Sequence, residues 1–227
     1  MTVRLTSWDG VEFSVFVAKP DMPPKAAVIV LQEIYGVNPH IQEVAEGFAK
    51  AGYLALAPAT FHRVKHGVSL GYTPEDMKTG MMFKSAVDAL PEPGVMADIE
   101  ETVKYAAKTC GGKVGIVGYC WGGLLTWRAA EQVKGLSAAV MYYGGGSTSD
   151  AERGRKPACP VLAHFAEKDH WIPQETVDVF QKLHPEVELH RYAADHGFNC
   201  DQRGAYNETA AKLARERTMA FFAKHLA

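Results

Sequence analysis

The sequence predicts an α/β fold in which a mostly parallel central sheet is covered by helices on both faces. Short apolar runs rich in valine, isoleucine and alanine alternate with longer, helix-like segments. This alternation is typical of parallel sheets, because each return to the same sheet edge needs a crossover helix. A chain of 227 residues, 47% of them hydrophobic and 22% charged, suits one such domain over residues 1–227.

Eight segments are predicted to form the sheet. The first, within Met1–Gly10, is expected to be an edge strand followed by a turn. The other seven are short and mostly apolar, as half-buried or buried strands are: Glu12–Val17, Ala26–Leu31, Leu54–Ala57, Val114–Val117, Ala138–Tyr143, Val161–Phe165 and Glu188–Tyr192.

Five further segments are predicted to be helices: Pro39–Lys50, Met96–Lys108, Trp121–Val133, Pro173–Leu183 and Ala205–His225. The second of them carries acidic residues in its first turns and lysine in its last, an order that the helix dipole favours. A proline suits the first turn of the fourth. In sheets of this kind ligands bind beyond the carboxyl ends of the strands, so we expect the chemistry in the loops that follow the strands.

Charge and composition exclude several classes of protein. The formal net charge is −2 and no basic block stands out, which argues against a nucleic-acid partner. No apolar run reaches the length of about 18 residues that a membrane span needs, and the N-terminal segment lacks the apolar core of a signal peptide. The four cysteines have neither CxxC nor metal-ligand spacing: Cys110, Cys120, Cys159 and Cys200. We therefore expect a cytoplasmic, reduced protein without a metal or a cofactor, either a monomer or a small homo-oligomer.

One strand ends in a pattern typical of a nucleophile. The run Val114–Val117 leads into a Gly-x-Cys-x-Gly turn centred on Cys120, and a helix follows. This is the layout of a nucleophile elbow, with cysteine in place of the usual serine. Gly118 and Gly122 leave room for a tight turn, and the helix N-terminus favours a thiolate or an oxyanion beside it. The alternative is a buried structural cysteine between two turn glycines.

Two later strand ends supply partners for this cysteine. Asp169 follows the strand Val161–Phe165, and His196 follows the strand Glu188–Tyr192. The order nucleophile, acid, histidine is that of the α/β-hydrolase fold. In such a triad the histidine takes the proton of Cys120, and the acid holds the imidazole in the required tautomer.

Each partner has a rival. Glu167 and Asp195 lie close enough in sequence to replace Asp169 as the acid, and His170 is the one serious alternative to the predicted histidine. Asp169 also has a purely structural interpretation, as the cap of a turn or helix before Pro173.

The loop after the strand Ala26–Leu31 completes the predicted site. In this fold an N–H of that loop and the N–H of the residue after the nucleophile form the oxyanion hole, which assigns the two donors to Ile34 and Trp121. Glu33 is a carboxylate directly after an apolar strand, where a charge is costly unless it is paired. It forms either an ion pair with a lysine or arginine, or a charge-switching interaction with Cys120.

These motifs resemble those of the dienelactone hydrolase family, the carboxymethylenebutenolidases. The resemblance runs over nearly the whole chain and is carried by four ordered segments: Gln32–Gly36, Gly118–Gly123, Asp195–Phe198 and Glu216–Phe222. It implies an α/β-hydrolase that opens a lactone or related ester through a thioester, as in the degradation of aromatic compounds. It implies that Cys120, Asp169 and His196 form the triad. It also implies that Glu33 pairs with the resting thiol until substrate displaces it.

The resemblance further implies that two arginines hold a carboxylate of the substrate. Arg203 matches one of them. Tyr35 and Phe198 lie within the matching motifs and are therefore candidate substrate-binding residues.

The segment expected to supply the second arginine departs from that pattern. Pro74–Lys84 contains no arginine, so Lys78 or Lys84 is the candidate replacement, although a lysine does not reproduce a bidentate fork. The apolar run Met81–Phe83 lies in the same segment, and ordinary core packing of a helix is the favoured interpretation of its methionines.

Two other functions stay open at this point. The chain could be a carboxylesterase or thioesterase of broad range, or a non-enzymatic binding protein on the same fold. Reactivity of Cys120 towards different esters and alkylating agents would distinguish them.

Overall fold

The structure, a computed structural model, describes all residues from 1 to 227. The strands are β1 (Thr2–Thr6), β2 (Glu12–Ala18), β3 (Ala27–Leu31), β4 (Leu54–Pro58), β5 (Val114–Tyr119), β6 (Leu136–Tyr142), β7 (Val161–Ala166) and β8 (Glu188–Tyr192). The helices are α1 (Pro39–Lys50), α2 (Pro74–Asp88), α3 (Val95–Cys110), α4 (Trp121–Gln132), α5 (Gln174–Leu183) and α6 (Glu208–His225). No helix combines the length and the hydropathy that a bilayer span requires.

All eight strands form one sheet, in the order β1-β2-β4-β3-β5-β6-β7-β8. The pairs β1–β2 and β2–β4 are antiparallel, and the remaining neighbours are parallel. The prediction of a mostly parallel sheet is thereby confirmed. Leu31 lies opposite Gly118 at the carboxyl ends of the central strands β3 and β5, so the loops that follow these strands begin side by side.

Helices cover both faces of the sheet, as predicted. A side chain at Gly115 of β5 would come within 2.8 Å of Phe222 in α6, whereas one at Gly118 would collide with α4. Successive residues of a strand point to opposite faces, so two positions three residues apart contact different faces. Helices α6 and α4 therefore lie on opposite sides of β5.

Helix α2 is absent from the helices that the sequence pattern predicts. It begins with a capping box, in which Thr73 Oγ1 accepts from the N–H of Asp76 at 3.2 Å and Asp76 Oδ2 accepts from the N–H of Thr73 at 3.0 Å. Pro74 occupies the first helical position. Met81 and Met82 remain exposed, so no buried apolar stripe marks this segment as a helix.

The turn between β5 and α4 depends on close backbone contacts. A side chain at Gly122 would collide with the carbonyl oxygens of Leu31 and Gln32. One at Gly118 would collide with the backbone of Gly122. Neither glycine has a positive φ, so the lack of space, rather than a special backbone conformation, requires glycine here.

The substitution Gly122→Ala is expected to lower the free energy of unfolding by about 1–3 kcal/mol, the usual cost of overpacking. The atoms in the way belong to the backbone of the sheet edge and cannot rotate aside, so the better helix propensity of alanine does not compensate. Urea unfolding measures the change. Gly154→Ala is the matched control, because nothing lies within 4 Å of a side chain there. Equal stability of both variants would contradict this account.

Candidate active site

Cys120 lies in the turn between β5 and α4 with φ 55° and ψ −118°, a conformation that residues with side chains rarely adopt. Its N–H donates to the carbonyl of Tyr142 at 3.0 Å. Its own carbonyl accepts from the N–H groups of Gly123 at 2.9 Å and Gly145 at 3.3 Å. The elbow is therefore held by the end of β6 and the loop that follows it.

Asp169 and His196 meet at the carboxyl ends of β7 and β8. The Nδ1–H of His196 donates to Asp169 Oδ2 at 2.7 Å. The other carboxylate oxygen accepts from the backbone N–H groups of Trp171 at 2.8 Å and Ile172 at 3.2 Å. Asp169 thus caps the turn after β7 and bonds to the imidazole at the same time, so its two sequence interpretations do not exclude each other.

The rival residues do not occupy this position. Glu167, Asp195 and His170 are all exposed, and none of them makes a hydrogen bond to His196. The side chain of Asp169, by contrast, is completely buried.

The surroundings of His196 favour its charged form. Burial alone would lower the pKa of the imidazole, but the charge of Cys120 and the hydrogen bonds to Asp169 and Cys120 outweigh it and raise the pKa to about 10. A positive charge on His196 is thereby favoured close to Cys120.

The two predicted oxyanion donors lie in the wall of the same cavity as Cys120. The N–H of Ile34 makes no hydrogen bond within the protein. Trp121 is the first residue of α4, so its N–H has no acceptor in the preceding turn. A side chain at Gly80 would collide with the carbonyl of Ile34, which shows that α2 lies directly against this loop.

The indole of Trp121 ties α4 to α2. Its Nε1–H donates to Asp88 Oδ1 at 3.2 Å, and its ring stacks on Phe61 with 5.0 Å between centroids. Asp88 Oδ2 accepts from Lys84 Nζ at 2.7 Å. The C-terminal end of α2 is thus fixed to Trp121, which lines the cavity.

Glu33 forms an ion pair with Arg203, with 2.9 Å between its Oε1 and Nη1 of the arginine. The carboxylate is 1% exposed, and its second oxygen, Oε2, is buried without a hydrogen-bond partner. Arg203 also lies over the ring of Tyr35, with 5.7 Å from its guanidinium carbon to the ring centroid. The partner of Glu33 is therefore this arginine, and no hydrogen bond joins Glu33 to Cys120.

These groups surround a cavity of about 380 Å³. Its walls are formed by Ile34, Tyr35, Met77, Lys78, Met81, Lys84, Cys120, Trp121, Gly145, Gly146, Trp171, His196 and Arg203. No acidic side chain is among them. Lys84 and Arg203 each have an acidic partner behind the wall, whereas Lys78 is exposed and makes no ion pair. A larger cavity of about 600 Å³ lies around Arg128 and Arg155 and contains none of these reactive groups.

The core-packing interpretation of the methionines is wrong. Met81 is 39% exposed and lines the cavity, and Met82 is 59% exposed. They are exposed because α2 lies over the mouth of the cavity rather than inside the core. Phe83 alone of this run packs inward, against Phe61 with 5.8 Å between the ring centroids.

The prediction that Phe198 binds substrate is also wrong. Its side chain is fully buried and packs on Tyr143 and Tyr192, with ring centroids 5.2 Å and 5.1 Å away. Phe198 is not among the residues that line the cavity and is part of the core beneath the site. Tyr35, the other aromatic candidate, does line the cavity.

Two aromatic residues near the site have no counterpart among the predictions. Trp171 is 66% exposed and lines the cavity. An exposed tryptophan two residues after the predicted acid is a signal that could have identified it. Tyr143 lies beside His196, with 5.1 Å between the rings, and nothing in its sequence context distinguishes it from its neighbour Tyr142.

Known proteins resemble this chain in sequence and in fold. The sequence profile of the Dienelactone hydrolase family matches residues 13–226. The carboxymethylenebutenolidase of Pseudomonas putida is 30% identical over 228 residues, which cover 97% of this chain and 95% of that protein. The solved structure of a "Putative Dienelactone Hydrolase" from Klebsiella pneumoniae is 31% identical with a TM-score of 0.79, covering 99% of this chain and 98% of the other. An esterase from Pyrococcus furiosus is 18% identical with a TM-score of 0.71, covering 100% and 93%, and shares the fold.

The order of the strands and the turn that carries Cys120 define an α/β-hydrolase. The chain belongs to the dienelactone hydrolase family, and it is a hydrolase that acts on carboxylic esters.

The raised pKa of His196 predicts an imidazolium at about pH 8, where an ordinary histidine with a pKa of about 6.5 is neutral. In Cys120→Ser the thiolate charge is absent, so we expect the titration midpoint of His196 to move to lower pH. NMR titration of the imidazole nitrogens measures both values. Cys110→Ser removes a thiol at the end of α3 and serves as the control. An unchanged midpoint in Cys120→Ser would contradict the charge interaction.

Proposed function

We propose that this chain hydrolyses a lactone or an activated ester through a thioester formed on Cys120. The observation that carries the proposal is the Asp169–His196 hydrogen bond of 2.7 Å next to a cysteine in a strained strand-to-helix turn. Nucleophile, histidine and acid from three strand ends provide what acyl transfer needs.

Acylation begins with attack of the Cys120 thiolate on the carbonyl carbon. The N–H groups of Ile34 and Trp121 stabilise the oxyanion, an interaction worth roughly 3–4 kcal/mol per donor in comparable sites. The carbon–oxygen bond of the ester then breaks, and His196 gives its proton to the departing enol or alcohol oxygen.

Deacylation uses the same histidine as a base. Neutral His196 takes a proton from water, and the hydroxide formed attacks the thioester carbonyl. The bond to sulfur breaks, the acid product leaves, and Cys120 returns as a thiolate beside the imidazolium. Asp169 holds the ring in place through both steps.

The nucleophile sets a limit on the substrate. A thiolate is a good leaving group as well as a good nucleophile, so the tetrahedral intermediate expels it readily when the other leaving group is a simple alkoxide. An enol or aryl oxide leaves more easily. Activated enol lactones and aryl esters are therefore the proposed substrates, and simple alkyl esters are poor ones.

The cavity wall adds a preference for an anionic substrate. Lys78 is the unpaired cation of the wall, because Lys84 is paired with Asp88 at 2.7 Å and Arg203 with Glu33 at 2.9 Å. Tyr35 lines the cavity beside Arg203, and its ring packs against the guanidinium. A carboxylate that binds Arg203 competes with Glu33, and this competition is the proposed link between substrate binding and the charge of the site.

The apolar groups at the mouth of the cavity favour a second, broader substrate range. Met77, Met81 and Trp171 are exposed and line the cavity. Flexible methionine side chains adapt to ligands of different shape. Aryl esters and thioesters with a bulky apolar group are therefore the alternative substrates of the same site.

Replacing Cys120 by alanine is expected to abolish turnover of enol lactones, aryl esters and thioesters alike, because the acyl-enzyme can no longer form. Steady-state assays of the pure variant on a panel of the three substrate classes measure this loss. Cys110→Ala is the matched control and should retain wild-type rates. Turnover by Cys120→Ala at the wild-type level would contradict the mechanism, and the panel ranks the substrate classes.

Replacing Lys78 by methionine is expected to raise KM for esters that carry a carboxylate by about tenfold, the usual loss for one charge-assisted contact. KM for neutral aryl esters should stay near the wild-type value. Lys84→Met is the matched control and should have a smaller effect, because that ammonium is held by Asp88. Equal changes for charged and neutral esters would contradict a carboxylate-binding role.

A further inference from the structure

Tyr143 shares an unusual property with Cys120. These two are the only residues other than glycine with a positive φ, 37° for Tyr143 and 55° for Cys120. Both lie at the carboxyl edge of the sheet, and the backbone of Cys120 bonds to Tyr142, directly before Tyr143, and to Gly145, two residues after it. Backbone strain of this kind concentrates at functional sites, because the surrounding structure must hold it in place.

The hydroxyl of Tyr143 is unpaired. The side chain is fully buried, and its oxygen has no hydrogen-bond partner. The preceding residue offers a direct comparison, since Tyr142 is equally buried but its hydroxyl bonds to Thr218 Oγ1 at 2.7 Å. A buried polar group without a hydrogen-bond partner is costly and rare. We therefore expect the Tyr143 hydroxyl to gain a hydrogen-bond partner during turnover.

Glu33 has an unpaired hydrogen-bond acceptor that matches the unpaired donor of Tyr143. Its Oε2 is a buried acceptor without a donor, while the phenol of Tyr143 is a buried donor without an acceptor. Burial first, and the charge of Glu33 second, hold the pKa of Tyr143 well above its ordinary value. The phenol is therefore protonated and able to donate at any pH at which the protein functions.

Arg203 connects these two groups to the substrate. It holds Glu33 at 2.9 Å, and its guanidinium lies directly beneath Gly197, the residue after His196. When a substrate carboxylate binds the guanidinium of Arg203, Glu33 loses its ion-pair partner. A buried carboxylate left unpaired is strongly unfavourable, so its release requires a second partner.

We propose that the Tyr143 hydroxyl is this second partner and donates a hydrogen bond to Glu33 once a substrate carboxylate occupies Arg203. Tyr143 is then a positioning residue of the hydrolase, and the inference rests on the proposed function. The resting structure has both atoms unpaired because the interaction forms only with substrate present.

The test compares Tyr143→Phe with Tyr142→Phe. For an enol lactone that carries a carboxylate, we expect Tyr143→Phe to lower kcat/KM by about tenfold, the loss of one hydrogen bond to a charged group. For a neutral aryl ester kcat/KM should stay at the wild-type level, because the ion pair between Arg203 and Glu33 stays intact. The melting temperature should hold or rise by about 2–4 °C, because an unpaired hydroxyl is removed. Tyr142→Phe should melt earlier and keep its kcat/KM for both substrates.

A double-mutant cycle with Glu33→Gln tests the partnership itself. If Tyr143 acts through Glu33, Tyr143→Phe should change kcat/KM little in the Glu33→Gln background. Wild-type kcat/KM in Tyr143→Phe, an equal loss for charged and neutral substrates, or full additivity with Glu33→Gln would overturn the proposal. Failure of the thioester mechanism is seen separately, as activity that survives in Cys120→Ala.

Discussion

The arrangement of the site depends on the forced backbone conformation of Cys120. A residue with a side chain costs about 1–3 kcal/mol in such a conformation, and it persists because its neighbours leave no alternative. The end of β3 closes on Gly122 from one side, and the end of β6 bonds to the N–H of Cys120 on the other. The same constraint turns the thiol towards the cavity and begins α4 directly after it. The positions of Cys120 and of the first N–H of α4 therefore have one physical cause.

The carboxylates of the site lie behind the side chains that line the cavity, and this arrangement determines which charged groups face it. Asp169 lies behind His196, Glu33 behind Arg203, and Asp88 behind Lys84. Each carboxylate is paired with a cation or an imidazole, which offsets much of the cost of burying it. The cations form part of the wall while their partners do not, so the charged side chains that line the cavity are basic although the whole chain carries a slight negative charge.

Residue patterns near one another in sequence predicted much of this structure. The β-branched runs identified the strands, and glycine spacing identified the turn at Cys120. Chain order also predicted that Asp169 and His196 lie close together, because parallel strands bring their carboxyl ends to one edge, and the two side chains are hydrogen-bonded. Helix α2 is not among the helices that the apolar pattern predicts. Its methionines are exposed near the cavity, so its apolar residues do not mark a buried face. The contact between Glu33 and Arg203 joins residues 170 positions apart, and the sequence left open which cation would pair with Glu33. The unpaired hydroxyl of Tyr143 depends on atomic packing, which no sequence pattern expresses.

The absence of acidic side chains from the cavity wall also bears on how a turnover would end. Hydrolysis of a lactone converts a neutral ring into a carboxylate, so the product carries one more negative charge than the substrate in a space lined by cations. Such a product binds more tightly than the molecule it came from, and its departure would slow the cycle. In the proposed cycle Glu33 opposes this retention, because its carboxylate returns to Arg203 and competes with the product for the guanidinium. The ion pair that a substrate carboxylate is proposed to break on entry would then also help to expel the acid.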